Sequence, residues 1–341
     1  MKKLFIISNE SIYIKNDKYY CDNIDLKSTP EGLNTNFEVN LIARNSSKAR
    51  NHQINLEKVK TFKSFISFLF GIFSSLKEKE SKYLIISISP YTFSACLLLR
   101  IFKKKPIVYL RSNGFDEYRI IYGFFGYIIY SLMFFITSKI SILASCRKYI
   151  LNGKKGHLIH PSQLDNEWKQ NHNIPINDKA KLLYVGRLRK EKGIFSLIEI
   201  INDKKDINLT VIGEEENSIS DINCENIEIL KIVKDQKKLI KCYDNHNIFI
   251  LPSFTEGQPM ALLEALSRLR PVVVFKEIEH VKQDREGIFV SNRNYNDLIK
   301  NVNYILQNYS SIQEKMKKNH LPTREQFIQN LKDIINKEVS V

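Results

Sequence analysis

Short apolar runs alternate with stretches of helical periodicity along the whole chain, and this restricts the fold more than any other feature of the sequence. Strands buried on both faces read as continuous apolar runs, and helices between them supply the parallel crossovers. In the first half the runs are Leu4 to Ile7, Glu38 to Ile42, Tyr83 to Ile88, Ile107 to Leu110 and Ile140 to Leu143. In the second half they are Leu182 to Val185, Asn208 to Ile212, Ile227 to Leu230, Ile248 to Leu251 and Val272 to Phe275. The expectation is an α/β protein with one doubly wound parallel sheet in each half. The length of 341 residues suits two such domains better than one core.

Composition sets the surroundings. The chain is 43% hydrophobic and 26% charged, as expected of a soluble globular protein, and its formal charge of +15 favours an anionic partner. Nucleic acid, acidic lipid and phosphorylated substrates all fit that charge. The five cysteines, Cys21, Cys96, Cys146, Cys224 and Cys242, have no paired spacing and read as free thiols of a reducing cytosol. His157 and His160 flank a strand end rather than one helix face, so no protein-bound metal is expected. Leu4-Phe5-Ile6-Ile7 is too short for a signal peptide and reads as a first strand, ending in a turn at Ser8-Asn9-Glu10-Ser11.

Between His160 and Lys179 the sequence turns polar and rich in Asn and Pro, which marks a linker. Domains are therefore expected at 1–165 and 178–320. Apolar Phe327, Ile328, Leu331, Ile334 and Ile335 give 321–341 the pattern of an amphipathic closing helix that could return to the first domain. Ile120 to Thr137 carries no charge and borders on the length of a membrane span. Its alternatives are a crossover helix buried on two sides and one laid against lipid. The helix around Phe62 to Phe73 poses the same choice, and two such segments in one half of a basic chain favour attachment to a membrane surface.

Two loops carry chemistry. Gly186-Arg187-Leu188-Arg189-Lys190-Glu191-Lys192-Gly193 follows one strand and enters a helix. Arg187 offers a planar fork for phosphate oxygens and Lys192 a second positive point. Pro252-Ser253-Phe254-Thr255-Glu256-Gly257-Gln258-Pro259-Met260-Ala261 also joins a strand to a helix, where free amides and the dipole suit a diphosphate. Glu256 lies in that loop and Glu264 about two turns along the helix, placed to grip two ends of a nucleotide sugar. The plainer alternative is that Glu256 only favours the helix N-terminus and Glu264 is a solvated helix residue.

Together these loops resemble the retaining glycosyltransferases of family 4, which carry a G-R-L-x-x-E-K-G loop and an E-x7-E element; the similarity covers roughly residues 180 to 290. The resemblance implies a GT-B fold, two Rossmann-like domains facing across a cleft, with acceptor binding in the first and donor binding in the second. It implies a nucleoside diphosphate sugar, UDP- or GDP-linked, as co-substrate, without metal or other cofactor. Arg187 and Lys192 would neutralise the leaving diphosphate, Glu256 would touch the donor sugar, and Glu264 would bind the ribose. Gly186, Gly213, Gly257 and the amides of Gln258, Met260 and Ala261 would line the donor site, Pro259 having no N–H. Attack would be front-face, the leaving phosphate taking the acceptor proton. Arg111 and Asn113, after the fourth strand of the first domain, are the acceptor-side candidates.

This chain departs from the family at three places. Ser8-Asn9-Glu10-Ser11 replaces a glycine-rich turn, Arg270 a glycine, and Lys276 to His280 a glycine-rich loop. The expected role is transfer of a sugar to a growing polysaccharide or lipid-linked oligosaccharide, of capsule, O-antigen, lipopolysaccharide or similar surface glycan. The expected location is the cytoplasm, peripheral on the inner face of an anionic membrane, with no nucleic-acid partner. The alternative is a non-catalytic nucleotide-sugar-binding or regulatory protein of the same fold. A Rossmann dehydrogenase is disfavoured because no G-x-G-x-x-G follows a predicted strand.

Overall fold

The structure, a computed structural model, describes residues 1–78, 80–173, 175, 179–202, 204–213 and 224–337. The chain forms two compact units, Met1–Gln163 with Arg324–Val341, and Leu164–Thr323.

The first unit holds strands β1 (Lys3–Lys15), β2 (Lys18–Cys21), β3 (Glu38–Ser46), β4 (His52–Ile54), β5 (Val59–Phe62), β6 (Lys82–Ile86), β7 (Ile107–Leu110), β8 (Ile142–Ser145) and β9 (His157–Leu158). Its helices are α1 (Ile24–Leu33), α2 (Phe65–Ser75), α3 (Pro90–Ile101) and α4 (Gly114–Ile140). The second unit holds β10 (Ala180–Val185), β11 (Ile207–Gly213), β12 (Ile227–Lys231), β13 (Ile248–Leu251), β14 (Val272–Phe275) and β15 (Ile288–Ser291), with α5 (Ile194–Ile201), α6 (Gln236–Asn245), α7 (Met260–Ser267), α8 (Tyr295–Gln307) and α9 (Tyr309–Met316). A final helix, α10 (Arg324–Lys337), returns to the first unit.

The second sheet runs β12-β11-β10-β13-β14-β15, every pairing parallel. That is the doubly wound order, which places ligands beyond the carboxyl ends of the central strands. The first sheet repeats it through β5-β3-β1-β6-β7-β8-β9 and adds the antiparallel pairs β1–β2 and β2–β4. The helices form because their apolar residues recur at helical spacing. In α5, for example, Ile194, Leu197, Ile198 and Ile201 fill one buried stripe. In α10, Phe327, Leu331, Ile334 and Ile335 do the same, and buried Lys82 donates to the Ile335 carbonyl at 2.7 Å.

All ten predicted strands are present, and all but the first have ends moved by only a few residues. The turn expected at Ser8-Asn9-Glu10-Ser11 is not one: β1 continues to Lys15, absorbing these residues in a register shift against β3 between Ile7 and Ser11. The polar stretch read as a linker is also different, because from Leu164 onward it belongs to the second unit. Trp168 is buried there against Tyr243, and the guanidinium of Arg268 binds the carbonyls of Trp168, Gln170 and Asn171. Arg270, standing where the resembled family has glycine, binds the Asn173 carbonyl at 2.7 Å and shares Asp244 with Arg268. Both arginines are 1% exposed, their guanidinium groups taken up by these carbonyls and Asp244.

Helix α4 is the one described helix long and apolar enough to cross a membrane by length and composition. It is interrupted. Gly123 has φ +66° and ψ −151°, a conformation confined to glycine, and the chain doubles back there. A Cβ on Gly126 would collide with the Tyr118 carbonyl oxygen, and the rings of Phe115 and Phe134 stand 5.1 Å apart.

Candidate active site

The candidate donor site is built where β10, β11 and β13 end. Gly186 leaves β10 with its N–H bonded to the Ile212 carbonyl. A side chain on Gly213 would collide with the Gly186 carbonyl oxygen, so glycine at 213 allows the two strand ends to converge. Arg187 is exposed, and its carbonyl accepts the Tyr184 hydroxyl at 2.9 Å. The chain then makes one 3-10 turn, Lys190–Lys192, and reaches Gly193 in the left-handed region at φ +67°. A Cβ at Gly193 would strike the Pro252 carbonyl oxygen. Glycine is required there on both counts.

That close approach joins the two loops. The Phe254 N–H donates to the Glu191 carbonyl at 3.0 Å. Lys192 Nζ lies 2.7 Å from Glu256 Oε1, and Ser253 Oγ donates to the same oxygen at 2.7 Å. The Glu256 side chain is 9% exposed and that of Lys192 21%, so the pair is largely withdrawn from water. Burial pushes the Tyr184 hydroxyl up; Glu256 pushes it further and Arg187 pulls it down, so this phenol senses both groups. The two sequence motifs thus form one charged cluster.

Along α7, Glu264 is anchored by a residue not evident from the sequence: the hydroxyl of buried Tyr243 donates to Glu264 Oε2 at 2.7 Å. Burial raises the Tyr243 hydroxyl well above its usual range, and Glu264 adds to this. The phenol therefore stays a donor. Gly257 and Gln258 are buried and Met260 and Ala261 half-buried at the start of α7; both polar atoms of the Gln258 side chain are buried without a partner. His280, in the shortened loop, shares a hydrogen bond with the Glu256 carbonyl at 2.8 Å.

A second unforeseen residue is Arg293, between β15 and α8. Its guanidinium stacks on Phe254 and Phe275, 4.0 and 4.3 Å from the ring centres. It donates to the Pro252 carbonyl at 2.9 Å and pairs with Glu277 at 2.7 Å. Its Nη1 is 3.2 Å from where a Gly193 Cβ would stand, so it packs beneath both loops. A basic residue after an edge strand reads as solvated in sequence, and only the fold brings it under the site.

In the first unit, Arg111 pairs with Glu10 at 2.8 Å, and Asn23 donates to the same carboxylate oxygen at 2.8 Å. Burial works against the charge on Arg111, but Glu10 leads the groups that outweigh it and raise its pKa. Asn113 is the N-cap of α4, accepting from the Phe115 N–H at 3.2 Å. Arg111 thus belongs to an ion cluster at the carboxyl edge, whereas Asn113 is occupied by a cap. Among the described residues no group of three or more His, Cys, Asp or Glu could hold a metal ion.

Two units of doubly wound parallel sheet, with a charged cluster at the carboxyl edge of the second, match the GT-B fold, and the family model and relatives that the chain resembles make it a glycosyltransferase of that fold. Residues 165–322 match the model of the glycosyl transferases group 1. The chain is 24% identical over 315 residues to the capsular polysaccharide biosynthesis glycosyltransferase CapM of Staphylococcus aureus, covering 81% of this chain and 82% of CapM. It is 25% identical over 146 residues to the N,N'-diacetylbacillosaminyl-diphospho-undecaprenol alpha-1,3-N-acetylgalactosaminyltransferase of Campylobacter jejuni, covering 41% of this chain and 38% of that enzyme. Among solved structures, HepE of Anabaena, in complex with UDP and glucose, superposes with a TM-score of 0.71 at 12% identity, covering 99% of this chain and 100% of that one. Sucrose-phosphate synthase of Thermosynechococcus elongatus superposes with a TM-score of 0.70 at 14% identity, covering 99% of each.

Proposed function

We propose that this glycosyltransferase is a retaining enzyme of family 4. It takes a sugar from a UDP- or GDP-linked donor and adds it to a growing surface glycan or its lipid-linked precursor. The observation that carries the donor assignment is the junction of the two loops: Lys192, Ser253 and Glu256 meet within hydrogen-bond distance, and Tyr184 senses both Glu256 and Arg187. Preorganised cations at a developing diphosphate charge are the strongest single aid to such a reaction. Arg187 and Lys192 fill that role, so the reaction requires no metal or cofactor. Glu256 holds Lys192 and contacts the donor sugar, while Glu264, fixed by Tyr243, receives the ribose. The bond from the anomeric carbon to the diphosphate breaks, the acceptor oxygen bonds to that carbon on the same face, and the acceptor proton passes to the departing phosphate oxygen.

A surface-glycan acceptor is supported by the CapM and Campylobacter relatives. The acceptor contacts fall to Arg111 and Glu10 in the first unit. Peripheral attachment to the cytoplasmic face of an anionic membrane is supported by the formal charge of +15 and the apolar helices of that unit. The test is incubation of the purified enzyme with labelled UDP- and GDP-sugars and a membrane extract. Sugar transfer with the donor's anomeric configuration kept is expected. Inverted product would overturn the retaining mechanism, and nucleotide binding without turnover of any sugar would favour the non-catalytic alternative.

A further inference from the structure

The exposed surface of the first unit is unlike that of a protein bathed only in water. Phe124 and Phe125 are 72% and 76% exposed, Ile121 and Tyr122 62% and 64%, and Leu132 61%. No charged residue lies between Arg119 and Lys139. Nearby, α2 exposes Ile66 and Phe70, and Phe73 of that helix meets Phe102 after α3, ring centres 5.4 Å apart. Isolated exposed apolar side chains are ordinary, but a concentration of this kind marks an interaction surface.

The break at Gly123 decides what kind. A span needs about 20 residues of uninterrupted helix to cross a hydrocarbon layer of about 30 Å. Residues 114–122 and 124–140 form two arms, about 14 and about 26 Å long at 1.5 Å per residue. They fold back on each other through Phe115, Tyr118, Tyr127, Tyr130 and Phe134. The longer arm is also anchored: Tyr130, Met133, Phe134 and Thr137 are buried in the first unit. What stands free is the hairpin tip, from Ile120 to Ile129.

We propose that this tip is a membrane wedge, inserted into the acyl layer of a single anionic leaflet without crossing the bilayer. The proposal rests on the membrane-facing reading given under Proposed function and adds its mode. Charge selects lipid over a second copy of the chain. Arg119 and Lys139 border the apolar tract, Lys139 lies 4.0 Å above the Phe135 ring, and Lys103 and Lys105 are exposed after α3. On a chain of formal charge +15 a self-contact would bring two like-charged surfaces together, whereas anionic headgroups neutralise these cations. Asp116 and Glu117 lie in the first turn, level with Phe134 at the base of the hairpin, so Arg119 is the charged residue nearest the tip.

The test uses the full chain with a Phe125→Trp substitution, the native Trp168 serving as a buried internal control, and vesicles of phosphatidylglycerol and phosphatidylcholine. On binding, the added emission should shift to the blue, be quenched by bromine placed along the acyl chains, and be shielded from iodide outside the vesicles. Paired Phe124→Asp and Phe125→Asp changes should abolish flotation with the vesicles and leave nucleotide binding intact. Flotation with the introduced indole still open to external iodide would overturn insertion while sparing surface attachment. Absence of flotation at low salt would overturn both. Quenching by iodide trapped inside the vesicles would show a crossing segment, and a wild-type dimer made monomeric by the paired Asp changes would show a self-interface; either result refutes the wedge.

Discussion

The carboxyl edge of the second unit and the helical layer of the first are built on the same strand order, yet they use their side chains in opposite ways. At the carboxyl edge, charge is concentrated and cross-tied: Lys192 to Glu256, Tyr243 to Glu264, Arg293 to the Pro252 loop. Each group is held by a neighbour that is itself buried or bonded. In the helical layer the charged residues retreat to the borders and aromatic rings face outward, supported only at the base of the α4 hairpin. A site that must meet a charged transition state needs fixed dipoles, whereas the lipid-facing surface proposed for the first unit would need apolar area and little precision.

The largest loss is expected at the Arg268–Asp244 clamp. Arg268→Ala leaves a buried carboxylate short of a partner and frees the 168–171 segment, so urea unfolding should show a loss of about 3–5 kcal/mol. A loss below about 1 kcal/mol would mean that this part of the second unit is not cross-tied as described. Next, Arg187→Ala and Lys192→Ala should each lower kcat by about 10²–10³ with the fold retained, the cost of removing one preorganised charge contact. Normal turnover in either variant would remove it from the leaving-group site.

These two tests also separate what was legible in the sequence from what was not. Strand positions were legible because a strand buried on both faces must be apolar throughout, as Ile248 to Leu251 and Val272 to Phe275 are. The two loops were legible because glycine and charge cluster where a strand gives way to a helix. Arg268, Arg270 and Arg293 were not: a guanidinium in a sequence looks solvated, and its burial depends on carbonyls supplied from 27 to 100 residues away. Tyr243 was hidden for the same reason. The hairpin was hidden because apolar periodicity runs through Gly123 unchanged, and only its positive φ reverses the chain. The continuation of β1 was hidden because Ser8 to Ser11 has the composition of a turn.

Smaller effects sharpen the contrast. Arg293→Lys keeps the charge but loses the planar fork that spans the Pro252 carbonyl and Glu277. It should raise KM for the donor several-fold, with a stability loss of about 1 kcal/mol, as for one lost hydrogen bond. An unchanged KM would make Arg293 a purely structural residue with no part in donor binding. At the other extreme, Phe124→Ser and Phe125→Ser should change stability by no more than about 0.5 kcal/mol, since both rings are already in water. A larger loss would place the tip in the folded core.

The central claim, that the two loops of the second unit form one donor site, is most directly tested by calorimetric titration of UDP and GDP into the wild-type chain and into Lys192→Ala and Glu264→Ala. One of the two nucleotides should bind the wild type at a single site and bind both variants more weakly, as follows if Lys192 meets the diphosphate and Glu264 the ribose of the same molecule. Affinity unchanged in both variants, or no binding of either nucleotide to the wild type, would contradict the claim.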